Sequence, residues 1–365
     1  MKIMHIIAPV SFGGGESLLV NLINEKVIGI DESIVLLYKS EKFIFKLKEI
    51  RARYYVIKDK ELGDNITKKD IIKDLFLLFY DVFKINKIIK NGQYKVLHLH
   101  GFSASIVGYI IKKINNSIKI IYTHHGIKQK SKFKIINNIQ SKIYNSFDEL
   151  TSVSQFSVDT LNKNFNLKKK FIKIHNCIAK DFFYDYKSFQ KKKNNIYKFL
   201  YIARFIKSKN HLDIVLALKK LNDELSLNIE VVLAGNGPEL KKIKAIVKEK
   251  ELENNFVFLG SVNYSEIKDL INSCDYCIFP SIHEAFGLGA VECMSQGLPV
   301  LAYDIPIMNE IIKGNGILVC KNELAFGLKK IIEIEFKKSE IIDYTKQFSP
   351  SKIKEQYSLL YKGLI

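Results

Sequence analysis

Short apolar runs alternate along the chain with longer stretches whose apolar residues recur every third or fourth position. KIMHIIAP is an apolar run bounded by Gly and Pro, which predicts a buried strand. GESLLVNLINEK follows, with Leu18, Leu19, Leu22 and Ile23 at helical spacing. SIVLLY and RYYVI read as strands. Residues 68–90 read as a long helix with Ile, Leu and Phe on one face. KVLHLH is then a strand, SASIVGYIIKKI a helix and IKIIYTHH a strand. A helix around Lys134–Asn145, a short strand at ELTSVS, a helix from Ser157 and a strand at FIKIHNCI complete the half. This order predicts a parallel sheet covered by helices.

The polar, aromatic and basic stretch DFFYDYKSFQKKKNN breaks the pattern. After it the alternation restarts: KFLYIARF, HLDIVLALKKL, NIEVVLAGNG, PELKKIKAIVKEK, NFVFLGSV, SEIKDLINSC, YCIFPS, FGLGAVECMSQ and PVLAYD read in turn as strands and helices. FSPSKIKEQYSLLYKGL is a last helix, capped by Ser349 or Ser351, whose single apolar face must dock somewhere. The chain thus divides into an α/β domain over 1–180, a linker over 181–196, a second doubly wound α/β domain over 197–345 and the helix over 346–365. Two such domains facing one another imply a cleft, with ligands at the carboxyl ends of strands.

With 365 residues and 47% apolar content there is material for two packed interiors. No apolar run reaches bilayer length. The first apolar stretch is short and runs into glycines and Glu16, so it reads as a strand rather than a signal peptide, and a cytoplasmic location is expected. Cys274 and Cys277 form a lone CxxC where a helix end enters a strand; two packed thiols fit better than a metal site lacking two further ligands.

The net charge of +19 is uneven. Residues 1–180 hold 31 Lys+Arg against 15 Asp+Glu, and 181–365 hold 26 against 23. From Val82 to Phe147 there are twelve lysines and no carboxylate. A Lys-, Ile- and Asn-rich composition accounts for many lysines but not for the missing acids. The first half should attract anions: phosphates, an anionic membrane surface or nucleic acid. The stretch lacks a recognition helix or an aromatic RNA-binding motif, which argues against nucleic acid as the partner.

The richest chemistry lies in PSIHEAFGLGAVECMSQGLP. A strand ends at Phe279 and a helix opens near Phe286–Gly287, where unpaired N–H groups and the positive dipole end favour an anion. Gly287 and Gly289 let a ligand approach the backbone. Glu284 precedes the helix and Glu292 stands eight residues later, about two turns along. One carboxylate can meet a sugar and the other ribose hydroxyls; a helix-start acid and a solvated Glu remain the plain alternative. Arg204 is one of three arginines, which singles it out for geometry. Gly13, Gly14 and Gly15 form a triplet, not GxGxxG. His98 and His100 share a strand face. No DxD triplet occurs, which argues against a metal-bridged diphosphate.

HEAFGLGAVE resembles the E-x7-E signature of the family-4 retaining glycosyltransferases, which have the GT-B fold, and GLPVLA follows as in that family. IARFIKSKNH resembles its strand-end Arg and following Lys, AGNGPE its AGxGPE turn, SFGGGE its glycine-rich loop and YTHHGI its strand-end His-Gly. TSVSQFS and IHNCI resemble two further segments, with Cys177 where the family has Gly beside Asn176. The likeness runs from residue 3 to about 320 and includes the last helix, which in the family crosses back to the N-terminal domain. It implies an N-terminal acceptor domain and a C-terminal donor domain. Arg204 and Lys209 would hold the donor diphosphate, with Gly14, Gly15, Gly237, Phe286, Gly287 and Leu288 along the donor. Glu284 would orient the sugar and Glu292 the ribose. His125, by its following Gly126, would sit beside the transferred sugar, with His124 as the alternative. His100, nearer its strand end, is the acceptor-side candidate. Glu239 reads more simply as a helix-cap acid.

The resemblance implies metal-independent hexosyl transfer with retention. The donor would be a nucleoside diphosphate sugar, with UDP expected, and the acceptor a glycan or lipid-linked glycan of cell-surface polysaccharide or lipopolysaccharide. No cofactor is expected, and the basic half suggests peripheral contact with the inner face of the plasma membrane. An epimerase or glycan phosphorylase of the same architecture is the first rival, and a basic nucleic-acid-binding protein the second.

Overall fold

The computed structural model describes residues 1–9, 14–61, 68–126, 131–183, 196–224 and 227–365, with backbone only over 68–79 and at 224. The chain forms two compact units, Met1–Cys177 with Pro350–Ile365, and Ile178–Ser349. Most of the expected linker falls outside the described residues; its first three residues belong to a short 3-10 turn, Lys180–Phe183.

The first unit runs β1 (Lys2–Ile7), α1 (Gly14–Asn24), β2 (Asp31–Lys39), α2 (Glu41–Glu49), β3 (Arg53–Glu61), α3 (Lys68–Gly92), β4 (Val96–His100), α4 (Gly101–Ile114), β5 (Lys119–His124), α5 (Lys134–Tyr144), β6 (Glu149–Ser152), α6 (Gln155–Asn164) and β7 (Ile172–Lys173). The sheet order is β3-β2-β1-β4-β5-β6-β7, and all its pairs are parallel. α2 was not apparent in the pattern. It buries Phe43, Ile44 and Leu47 against β1 and β2. The run FIKIHNCI yields only a two-residue strand at the sheet edge, while Ile174 and Cys177 beyond it enter the core.

The second unit runs β8 (Tyr197–Ile202), α7 (His211–Glu224), β9 (Ile229–Ala234), α8 (Leu240–Glu249), β10 (Phe256–Gly260), α9 (Tyr264–Asn272), β11 (Tyr276–Phe279), α10 (Leu288–Ser295), β12 (Val300–Tyr303), α11 (Pro306–Ile312), β13 (Gly316–Val319), α12 (Leu324–Glu333) and α13 (Lys338–Thr345). Its sheet, β10-β9-β8-β11-β12-β13, is also parallel throughout. The final helix, α14 (Pro350–Gly363), belongs to the first unit.

The two faces of the first sheet differ. One carries Met4, Ile6, Val35, Leu97, Leu99, Ile120 and Tyr122 into an apolar core shared with α3 and α4. The parallel register places Glu32, His5, His98, His100, Thr123 and Thr151 on the other. α1 and α14 cover that face, burying Leu18, Leu22, Ile353, Tyr357 and Tyr361 against Ile3, Val96 and Ile121. The polar groups there are met by hydrogen bonds, as buried polar atoms must be. His98 pairs through Nδ1 with the Tyr361 hydroxyl at 2.7 Å and through Nε2 with Thr123 Oγ1 at 2.7 Å. Thr123 Oγ1 also lies 2.6 Å from Thr151 Oγ1.

Candidate active site

In an open parallel sheet, two adjacent strands whose connections leave to opposite sides open a crevice at their carboxyl ends. Each unit has one such place: β1 beside β4 in the first, β8 beside β11 in the second. The residues singled out in the sequence cluster at these two places or on the next strand.

In the second unit β8 leads through Ala203, Arg204 and Phe205 into a 3-10 turn, Lys207–Lys209, and then α7. Asn210 takes a left-handed conformation, φ 55°, to make that junction. Phe205 is fully buried and stacks on His211 with 3.9 Å between ring centroids. Burial lowers the His211 pKa to about 4, aided by nearby Lys209. Arg204 between these anchors is exposed, with no ion pair among the described residues.

The AGNGPE turn braces this segment. Gly235 and Gly237 have φ of 147° and 156°. A Cβ on Gly235 would collide with the Ala203 carbonyl, and one on Gly237 with the Phe205 backbone. Phe205 N–H donates to Asn236 O at 2.9 Å, and Glu239 N–H to Phe205 O at 3.0 Å. Gly237 therefore holds the Arg204 strand end, and being half-buried it stays beside the expected donor position. Glu239 is the residue before α8 and makes no side-chain cap bond.

The loop after β11 is tied to the same turn. Ile282 N–H donates to Ser208 O at 3.1 Å. The Tyr201 hydroxyl donates to Lys209 O at 2.8 Å and lies 2.9 Å from Ser281 Oγ. These ties bring Lys209 and Glu284 into an ion pair, with side chains 20% and 11% exposed. Each neutralises the other where solvation is poor, and both stay within reach of a polar ligand.

α10 opens one residue later than the pattern suggested. Gly287, φ 91°, is its cap, and a Cβ there would lie 2.6 Å from Met308 Cε. Leu288 is half-buried, and Phe286 buries its ring with 5.7 Å between centroids to Phe348. The Phe286 ring thus anchors the loop, and any donor contact at this position falls to its backbone. Because the helix starts at Leu288, Glu292 stands one turn inside it, not two turns beyond Glu284. Burial pushes the Glu292 carboxyl up to about 7, and the Tyr264 hydroxyl, 3.5 Å away, offsets this only in part.

In the first unit α1 begins at Gly14. Gly13 lies outside the described residues. A Cβ on Gly15 would touch the His125 ring at 3.6 Å, so the helix start lies against that imidazole. His125 follows β5; its Nε2 is 3.0 Å from His100 Nδ1, and its Nδ1 is buried with no partner. Burial holds its pKa near 4. His124, the alternative, is buried with Nδ1 2.9 Å from the Tyr122 hydroxyl.

His100 departs from its expected acceptor role. It is 2% exposed, and its second nitrogen lies 3.0 Å from His5 Nδ1. With both ring nitrogens engaged it can meet an acceptor only through His125. Asn176 is buried with an unpartnered Oδ1, and Cys177, in place of glycine, fills the core. Cys274 and Cys277 are buried free thiols.

His5, His98 and His100 are the described group with metal-ligand spacing, their nitrogens within 4.8 Å. Both nitrogens of each are paired with side chains, which fits a hydrogen-bonded array better than a metal centre. The sequence reading missed His5, Glu32 and Lys354. A signal existed for Lys354, which stands at i, i+3, i+7 with Tyr357 and Tyr361 on the apolar face of α14.

Two parallel Rossmann-like sheets of this kind make up the GT-B fold. The family model "Glycosyltransferase Family 4" matches residues 63–182 and "Glycosyl transferases group 1" matches 184–348. The chain belongs to the family-4 glycosyltransferases. It is 25% identical over 319 residues to the capsular polysaccharide biosynthesis glycosyltransferase CapH of Staphylococcus aureus, covering 85% of this chain and 83% of that protein. It is 24% identical over 304 residues to the O-antigen chain mannosyltransferase RfbU of Salmonella typhimurium, covering 77% and 81%. The structure of HepE from Anabaena in complex with UDP and glucose superposes with a TM-score of 0.77 at 19% identity, covering all of both chains.

Replacing Gly235 with Ala should drive the Ala203 carbonyl aside and displace Arg204. We expect a loss of about 2 kcal/mol or more in stability of the second unit, measured by denaturant unfolding. Wild-type stability in that variant would contradict the bracing role.

Proposed function

We propose that the chain transfers a sugar, with retention at the anomeric carbon, from a nucleoside diphosphate donor. UDP is the expected carrier. The acceptor is a glycan or lipid-linked glycan of cell-surface polysaccharide or lipopolysaccharide. The observation that carries this reading is the pair of loops after β8 and β11. Cross-tied, they present Arg204, the Lys209–Glu284 pair and the open start of α10 at one switch point. Three kinds of anion-stabilising group are preorganised there: a guanidinium, an ammonium and unpaired helix N–H groups.

Departure of the diphosphate develops negative charge on its oxygens. Arg204 and Lys209 offset that charge, and the α10 start adds its N–H groups. Glu284, released from Lys209 by the incoming phosphates, turns to the sugar hydroxyls. Glu292 accepts from the ribose. His125 hydrogen-bonds the transferred sugar; this role comes from family membership. With no nucleophilic side chain assigned, the leaving phosphate takes the acceptor proton during same-face attack. The charge on the diphosphate is met by these side chains without a metal or other cofactor. HepE was solved with UDP and glucose, and the named relatives build capsular polysaccharide and O-antigen, which supports this donor and product class.

The first unit also supports a cytoplasmic enzyme working at a membrane surface. Among the described residues no helix is long and apolar enough to cross a bilayer. The start of α5, however, is inverted: Asn137 and Gln140 face inward at 6% and 2% exposure, while Phe133 before the helix and Ile135 and Ile139 in it stand 68%, 69% and 51% exposed; only its last turn, Ile143 and Tyr144, enters the apolar core. Exposed Lys132, Lys134 and Lys142 flank them. Apolar side chains bordered by lysines suit an anionic lipid surface, each lysine contributing on the order of 1 kcal/mol there.

The raised Glu292 pKa gives the donor reading its test. Only the carboxylate accepts from two ribose hydroxyls, so binding must expel the proton held below pH 7. Affinity for UDP-sugar should rise about tenfold per pH unit toward pH 7 and level off above it. Glu292→Gln should weaken binding and flatten the profile. Calorimetric titration at several pH values checks this, and a wild-type profile in the variant would contradict the assignment. For the surface, the double variant Ile135→Ser/Ile139→Ser should lose several-fold in partition to anionic vesicles. Equal wild-type binding to neutral and anionic vesicles at low salt would reject contact with anionic headgroups.

A further inference from the structure

Beneath α1 and α14 a row of hydrogen bonds crosses the first sheet from its buried side to His125. Lys354, 1% exposed, donates to Leu22 O at 2.9 Å and to Glu32 Oε2. Glu32 Oε1 lies 3.1 Å from His5 Nε2. His5 Nδ1 lies 3.0 Å from His100 Nε2, and His100 Nδ1 lies 3.0 Å from His125 Nε2. The row ends at His125 Nδ1, buried and unpartnered beside Gly15. Four elements contribute in spatial order, β2, β1, β4 and the turn after β5, and α14 closes the far end.

The chemistry of its two end groups orders every proton along it. An ammonium only donates, and a carboxylate only accepts. Glu32 must therefore receive the Nε2 hydrogen of His5, which leaves His5 Nδ1 as a lone pair. That lone pair requires Nε2–H on His100. His100 Nδ1 is then a lone pair and requires Nε2–H on His125. One tautomer is selected at each ring, and the direction comes from Glu32.

We propose that Glu32, anchored by Lys354, acts through His5 and His100 as a positioning device that locks His125 as its Nε2–H tautomer. Nδ1 is thereby held as a hydrogen-bond acceptor for a hydroxyl of the transferred sugar. The sugar contact rests on the function proposed above; the tautomer lock does not. Burial of all three imidazoles lowers their pKa values, which keeps the row neutral and suits it to fixing a proton's place, not to storing an extra one. Burial pushes the Glu32 carboxyl up, but His5 and Lys354 outweigh it and leave its pKa below the usual value. His98 stands apart from the row. Its two nitrogens are engaged by Tyr361 and Thr123, and its ring supports His100 with 4.1 Å between centroids.

The replacement Glu32→Gln makes a specific demand. Lys354 should keep the amide oxygen, which turns the amide NH2 toward His5 Nε2. His5 must then accept there and carry its hydrogen on Nδ1. His100 and His125 must follow, so that Nδ1 of His125 becomes a donor three rings from the substitution. Long-range 1H–15N correlation on histidine-labelled protein at pH 7.5 reads this directly, with the His125 signals assigned through His125→Gln. We expect Nε2–H for His125 in the wild type and in Glu32→Asp, and Nδ1–H in Glu32→Gln. Turnover of UDP-sugar should fall about tenfold in kcat for Glu32→Gln, the loss of one acceptor, with a smaller change in KM and recovery in Glu32→Asp.

His125 carrying Nδ1–H in the wild type would overturn the proposal, whether or not the variants fold. So would an unchanged His125 tautomer in a folded Glu32→Gln protein. Failure of the wild type to turn over any nucleotide sugar would sink the function and leave the tautomer result to decide this inference alone.

Discussion

A lysine and a glutamate meet out of water where α14 packs on the first sheet, and the order of that unit depends on their meeting. Removing either ion from water costs several kcal/mol, and a lone one left behind would be strongly destabilising. Lys354 and Glu32 are separated by most of the chain, yet the side chain of each is almost fully buried. The pairing accompanies the return of the final helix to the first unit, where Ile353, Tyr357 and Tyr361 are buried as well. Once there, the helix supplies the Tyr361 hydroxyl to His98 Nδ1 and the Tyr357 hydroxyl to Thr123. A parallel sheet would ordinarily bury both faces in aliphatic side chains. Here one face also carries a line of polar groups that need partners, and that line ends at the edge of the candidate site.

The second unit solves a different problem with backbone. Its candidate cations and Glu284 sit on loops, which alone would leave them imprecise. Gly235 and Gly237 remove side chains so that one turn can press against the strand end bearing Arg204. The Tyr201 hydroxyl joins that turn to the loop bearing Glu284. Rigid sheet geometry is thereby carried outward to the atoms that would meet a diphosphate, which is how preorganised electrostatics is built.

Much of the fold was legible because buried parallel strands and amphipathic helices have different periods. The E-x7-E segment was legible because its spacing and filling are specific. The misses have physical causes. α10 starts at Leu288 since Gly287 adopts a positive φ, which places Glu292 one turn in; no periodicity reports a backbone angle. The inward packing of the Phe286 ring and the bracing task of Gly237 depend on contacts with Phe348 and Phe205 that no local spacing reports. His5, Glu32 and Lys354 were passed over because one polar residue in an apolar run looks like noise until strand register aligns it with others. Glu32 and His5 become neighbours only through the β1–β2 pairing, and Lys354 joins them only through the docking of α14.

The central claim is cleavage of a nucleotide sugar at its anomeric carbon with retention. Its most direct test is 1H NMR of the enzyme with UDP-sugar and a glycan acceptor, reading the anomeric proton of the new linkage as the nucleoside diphosphate appears. The account expects the product to keep the donor's anomeric configuration, with one diphosphate released per sugar transferred. An inverted anomeric signal, or no cleavage of any nucleotide sugar, would contradict it.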